Sequence, residues 1–171
     1  MTVRGRGAKQ RSVCVHTYEA KVTWKRDPNA KFTDQRYSRR HEWAFDGGVS
    51  VPASASPLVV PLPMSSKEAV DPEEALVASA SACHMLWFLY AAAKRGFVID
   101  EYVDDAAGTI AKDAAGKTAM TRIALRPRIT FSGEKRPSEN DLHELHEIAH
   151  KECFIANSLK TEVVVEAPAA V

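Results

Sequence analysis

The chain has 171 residues, 45% of them hydrophobic, enough for one domain with its own core. With 23 basic against 22 acidic residues the formal net charge is +1, which excludes a strong built-in field for nucleic acid or membrane surfaces. Small-molecule chemistry or a protein partner is the expectation that remains.

The first eleven residues are basic and no apolar stretch follows them, so they read as a frayed tail rather than a secretory signal. A single domain over 1–171 is expected, with 1–12 flexible. Three cysteines without an export signal point to a reducing cytoplasm. Residues 13–25 alternate, with Cys14, His16, Tyr18, Ala20, Val22 and Trp24 on one face, which predicts a first strand and a core role for Cys14. After the turn cluster Asp27–Ala30 a second strand is expected from Tyr37 to Asp46, placing Arg39 on the face of Tyr37, His41, Trp43 and Phe45. A guanidinium there either snorkels outward or points inward and needs an anion, a carboxylate or a thiolate. Residues 47–70 hold four prolines yet are too apolar for a solvated linker, and read as a loop packed over the body as a pocket wall.

A helix start follows, with Asp71 as N-cap, Pro72 at the first helical position, and Glu73 and Glu74 in the first turn. Gly96 suits the C-terminal cap, giving about 24 residues and roughly 36 Å of helix. Leu76 to Ala93 is nearly long enough to span a bilayer, but its serines and His84 favour a central helix buried on most sides. Residues 101–131 predict a hairpin: Tyr102 to Lys112, a turn at Asp113–Gly116, then a strand with Ile123, Leu125, Ile129 and Phe131 on one face. Pro127 argues for an edge or a bulge in it. Ser138 with Asp141 starts a second helix in which Leu142, Leu145, Ala149 and Cys153 recur at helical spacing, and Lys160–Glu166 is a closing strand. The order is α+β: two helices, one long and central, packed against curved antiparallel β-sheets.

Cys83 and Cys153 lie 70 residues apart in apolar, helix-compatible stretches, and neither belongs to a Cys-x-x-Cys motif. Packing the two helices together brings their sulfurs within disulfide reach, or else they are two small hydrophobes of the core. His143, His146 and His150 line one side of the second helix with Cys153 a further turn on, either a partial metal set or a solvated histidine flank. His41 and His84 read as satisfied core or rim histidines.

Together these residues resemble the OsmC/Ohr family of organic hydroperoxide reductases. The Asp71-Pro72-Glu73-Glu74 helix start, the small-residue run Ala78–Ala82 into Cys83, and a second cysteine near the end of a later helix followed by Ser158–Glu162 and a closing strand carry the likeness. It covers about Tyr18 to Val165. The resemblance implies a thiol peroxidase without metal, haem or flavin, acting on organic hydroperoxides, with hydrogen peroxide as a further candidate substrate. Cys83 would be the attacking thiolate, Cys153 the resolving thiol, and Arg39 and Glu73 the arginine–glutamate pair, with Arg36 and Arg40 as rivals for the arginine. A small dithiol or a dithiol-bearing protein would be the reductant. Ten residues between Glu73 and Cys83 amount to about 15 Å of helical rise, so one helix does not easily present both to one peroxide, and the intertwined homodimer of the family would supply part of each site from the second subunit. The chain departs from the family in having Phe154 where proline usually follows the second cysteine, and bulkier residues, His84 to Tyr90, after the first. Two further readings compete: a binder of a lipid-like ligand in the same two-subunit pocket, and a metal-binding protein built on Cys153, His150 and His146.

Overall fold

The computed structural model describes residues 15–166, so the basic tail and Cys14 lie outside the described residues. Three short strands form an antiparallel meander, β1 (Ala20–Thr23), β2 (His41–Phe45) and β3 (Ser50–Ala53). Then come the long helix α1 (Pro72–Lys94) and the strands β4 (Val98–Asp104), β5 (Ala107–Lys112), β6 (Thr118–Leu125) and β7 (Pro127–Ser132). The chain continues through α2 (Glu139–Glu152) and α3 (Phe154–Ser158) and closes on β8 (Glu162–Val165). β4 pairs with β7, while β5, β6 and β8 form a third sheet in which β8 runs parallel to β6. The mixed α+β class is the one expected, with three helices in place of two.

The helix ends follow from local chemistry. The Asp71 carboxylate accepts from the Glu74 backbone N–H at 2.8 Å and the Glu74 carboxylate accepts from the Asp71 N–H at 3.2 Å, a reciprocal capping box. At the other end Gly96 takes φ +77°, a left-handed conformation that glycine adopts without steric cost. Ser138 and Asp141 cap α2 in the same reciprocal way.

Two apolar clusters hold these elements. Phe88, Ala91, Ala92 and Phe97 pack on Leu145 and Ala149 of α2, and Ala80 of α1 packs on Ile123, Leu125 and Val163 of the third sheet. Gly108 permits the close approach of β5, since a β-carbon there would lie 2.5 Å from the Met120 sulfur and 2.6 Å from Val77.

Several expectations are corrected. β2 begins at His41, not Tyr37, because the preceding residues close a loop instead: the Trp24 indole N–H donates to the Ser38 carbonyl, the Arg39 N–H donates to the Met64 carbonyl, and Trp24, Phe32 and Tyr37 pack ring on ring. Arg39 therefore precedes the strand, and strand alternation does not place it. The predicted loop 47–70 contains β3, whose pairing with β2 passes over Pro52. The segment read as one strand from Tyr102 is two, β4 and β5, on different sheets; only β5 and β6 form the hairpin around Asp113–Gly116. Pro127 marks the break between β6 and β7. The helix α1 is not buried on most sides within one chain: Ala80, His84, Phe88, Ala91 and Ala92 form one buried stripe, while Leu86 and Tyr90 are 62% and 52% exposed.

Candidate functional site

Cys83 sits in the middle of α1 and is half-buried, whereas Cys153 is 1% exposed at the junction of α2 and α3. Both are free thiols. Cys153 serves as C-cap of α2 and N-cap of α3, and its Sγ accepts from the Ala156 N–H at 3.3 Å. Burial and the adjacent Cys83 thiol push the Cys153 thiol up to about 11, against the opposing pull of the Ala156 and Ile155 amides. The fold thus brings the two sequence-predicted cysteines side by side, one reachable from solvent and one held protonated in the interior.

One residue beyond Cys83, His84 is buried, and its Nε2 lies 3.0 Å from Nδ1 of His146 on α2, so one ring donates to the other. Phe88 packs on the His146 ring. Burial is the main cause that lowers both imidazoles to about 4; the neighbouring histidines add to it, and Asp104 opposes it at His146. Both rings are therefore neutral near pH 7, and the pair joins α1 to α2 next to the thiols. Sequence spacing offered no signal for this contact, which depends on how the helices cross.

The pair makes stability pH-dependent. An unfolded histidine titrates near 6.5, above its folded value of about 4, so the unfolded chain binds more protons between these limits. Stability should fall as pH drops through that window. Urea unfolding of the parent should show a midpoint that declines between pH 7 and about 4.5, and His84→Gln with His146→Gln should flatten the slope. Truncating His84 alone should cost about 1–3 kcal/mol at neutral pH, since it removes the bond partner of the part-buried His146 nitrogen. An unchanged slope in the double variant would show that other groups govern it.

The other predicted residues stand elsewhere. Glu73 lies at the start of α1 on the rim of a 1080 Å³ cleft between the 56–69 segment, α1 and strands β4 to β6, with Leu58, Val59, Val77 and Met120 among its apolar walls. Asp71, Glu74 and Asp104 also face it, with Lys67 as the one cation among its lining residues. Among the described residues Glu73 has no ion-pair partner. Arg39 donates to the carbonyls of Gln35 and Tyr37 and lies over the Tyr37 ring, 3.9 Å from its centroid. One chain therefore assembles the thiol pair but brings neither Arg39 nor Glu73 into a bond with it. Arg40 pairs with Glu68 at 3.6 Å on the surface.

The metal reading is corrected: among the described residues no three His, Cys, Asp or Glu side chains converge. His146 is committed to His84 in the interior while His150 is exposed, so the set with Cys153 is not assembled. α1 is long and apolar enough to cross a membrane by length and composition, yet α2, α3, β4, β5 and β6 pack along it.

A capped long helix carrying one thiol against a second thiol at a helix junction, set on an α+β frame, defines a two-cysteine protein of the OsmC kind. The chain belongs to the family described as OsmC-like protein, whose pattern it matches over residues 65–167. An OsmC-like protein of unknown function from Vibrio cholerae O1 biovar eltor is 50% identical to it, with a TM-score of 0.88 over 90% of this chain and 99% of that one. Organic hydroperoxide resistance proteins share the fold. The one from Elizabethkingia anophelis has a TM-score of 0.66 at 16% identity, and the one from Legionella pneumophila 0.64 at 17%, each comparison covering 92% of this chain and 99% of the other. No curated protein sequence matches the chain.

Proposed function

We propose that the protein is a cysteine-based peroxidase that reduces organic hydroperoxides. The observation that carries this reading is the asymmetry of the thiol pair: half-buried Cys83 beside a buried Cys153 whose thiol is pushed up to about 11. A nucleophile needs access and thiolate character, whereas a resolver needs only proximity once its partner is oxidised. The Cys83 thiolate attacks the O–O bond; a sulfur–oxygen bond forms, the O–O bond breaks, and the alkoxide leaves as alcohol after taking a proton. The sulfur is thereby oxidised to a sulfenic acid. Cys153 then attacks that sulfur, expelling water and closing the Cys83–Cys153 disulfide, which an external dithiol, small or protein-borne, reduces.

The arginine–glutamate pair, Arg39 and Glu73, acts on this reading from a second copy of the chain. Three features support a homodimer. The outer face of α1 carries exposed Leu86 and Tyr90, the β1–β3 sheet packs mainly on itself, and Glu73 stands without an ion-pair partner among the described residues in an acid-rimmed cleft. Neither cysteine lines that cleft in one chain, so on this reading Glu73 and an arginine meet the Cys83 thiolate of the opposite copy, which a positive neighbour stabilises.

The apolar walls of the cleft favour one second reading, a carrier of a lipid-like ligand in which the cysteines are core residues. Intact mass before and after one equivalent of cumene hydroperoxide separates the two. Loss of two hydrogens with a Cys83–Cys153 linked peptide supports the peroxidase, and an unchanged mass supports the carrier.

A further inference from the structure

Phe154 immediately follows Cys153 and is 65% exposed, an unusual placement for a phenylalanine at the start of a five-residue helix. Its ring meets Trp87 edge to face, with centroids 5.7 Å apart, and Trp87 lies one helical turn beyond Cys83. Tyr90 also meets Trp87 edge to face, with centroids 5.6 Å apart. The contact thus joins the two backbone segments that carry the two sulfurs, each aromatic ring within a turn of its own cysteine. Other contacts also tie α1 to the α2–α3 unit: His84–His146 reaches α2 seven residues before Cys153, Arg95 pairs with Glu144 near the start of α2, and Ile155 and Ala156 of α3 join the apolar cluster around Ala80.

We propose that Trp87 and Phe154 are positioning residues that hold Cys153 against Cys83 and set the speed and extent of disulfide closure. The cause is geometric. Cys153 joins two helices through an extended backbone conformation, φ −67° and ψ 107°, so α3 does not continue α2 and side-chain contacts decide where it sits against α1. An edge-to-face aromatic contact adds attraction beyond that of its buried area, which biases the position of α3 against α1. Intramolecular reactions are steep in such bias, because a displacement of about an ångström changes rates by large factors.

This inference deepens the peroxidase reading, but its main test needs no peroxide. Equilibration of the reduced protein with glutathione and glutathione disulfide measures the effective concentration of the Cys83–Cys153 pair: two glutathione thiols are released for each protein disulfide formed. Phe154→Ala and Trp87→Ala should each lower that effective concentration about tenfold, a rise of about 30 mV in reduction potential. Phe154→Tyr and Trp87→Phe should stay near the parent. The double alanine variant should fall no further than either single one, as expected for two halves of one contact. With cumene hydroperoxide, Phe154→Ala should form the Cys83 sulfenic acid at the parent rate, trapped by dimedone, but convert it to disulfide about tenfold more slowly. Parent-like effective concentrations in both alanine variants, additive losses in the double variant, or no disulfide in the parent under glutathione would each overturn the proposal. Absence of a sulfenic acid with normal glutathione behaviour would remove the peroxidase reading and leave the positioning role standing.

Discussion

Cys83→Ser is expected to abolish peroxide consumption, and Cys153→Ser to allow a single turnover and then stall with Cys83 oxidised. The two thiols are not interchangeable in this fold. Cys153 is 1% exposed and its thiol is pushed up to about 11, so its thiolate fraction at pH 7 is on the order of one in ten thousand. It is therefore a poor first nucleophile. Oxidation of Cys83 removes the neighbouring thiol that helps hold the Cys153 proton, while the Ala156 and Ile155 amides remain to favour the thiolate. On the peroxidase reading, the resolver is thus activated by the step that precedes it. Because burial persists, closure of the disulfide in the parent should still accelerate as pH rises from 7 toward 9. Stopped-flow consumption of cumene hydroperoxide, with dimedone labelling of the quenched protein, measures both steps. Equal single-turnover rates for Cys83→Ser and the parent would end the assignment.

What the sequence disclosed and what it hid divide along a physical line. Helix ends were legible because capping is local: Asp71, Pro72, Glu74 and Gly96 fix α1 through contacts within a turn of each end. The spacing of Leu145, Ala149 and Cys153 likewise named the buried side of α2. Strand identity was less legible, because β3, with its proline, and β4, with its charged residues, carry no clean alternation, and pairing partners are chosen at long range. Arg39 was assigned by alternation to a strand it precedes, since the loop is ordered by Trp24, Phe32 and Tyr37, residues far apart in the chain. The His84–His146 bond and the Trp87–Phe154 contact were hidden for the same reason: each depends on the angle at which α1 meets α2 and α3, which no local pattern encodes. The hydrophobicity of α1 was legible, and it is more than one chain covers: one stripe is buried while Leu86 and Tyr90 stay exposed. Its bare side is the starting point for the second expected result.

Mixing Cys83→Ser subunits with Glu73→Ala subunits should restore peroxidase activity that neither parent homodimer possesses. The expectation rests on the separation of Glu73 from Cys83, about 15 Å of helical rise on one rigid α1, which prevents one subunit from easily presenting both groups to one small peroxide. If Glu73 serves the thiol of the opposite chain, the mixed dimer has one site with an intact Cys83 and an intact Glu73, the other site lacking both. Random pairing then returns roughly a quarter of the parent's sites, because half the dimers are mixed and each regains one site of two. Replacing Glu73→Ala by Arg39→Ala in the same design tests the arginine separately, and Arg40→Ala, which removes only an exposed pair with Glu68, serves as the control that should leave activity near the parent's. Native mass spectrometry of the mixture verifies that subunits have exchanged. If mixed dimers are present and activity does not rise above the sum of the parents, each site is contained in one chain, and the exposed face of α1 must have another purpose.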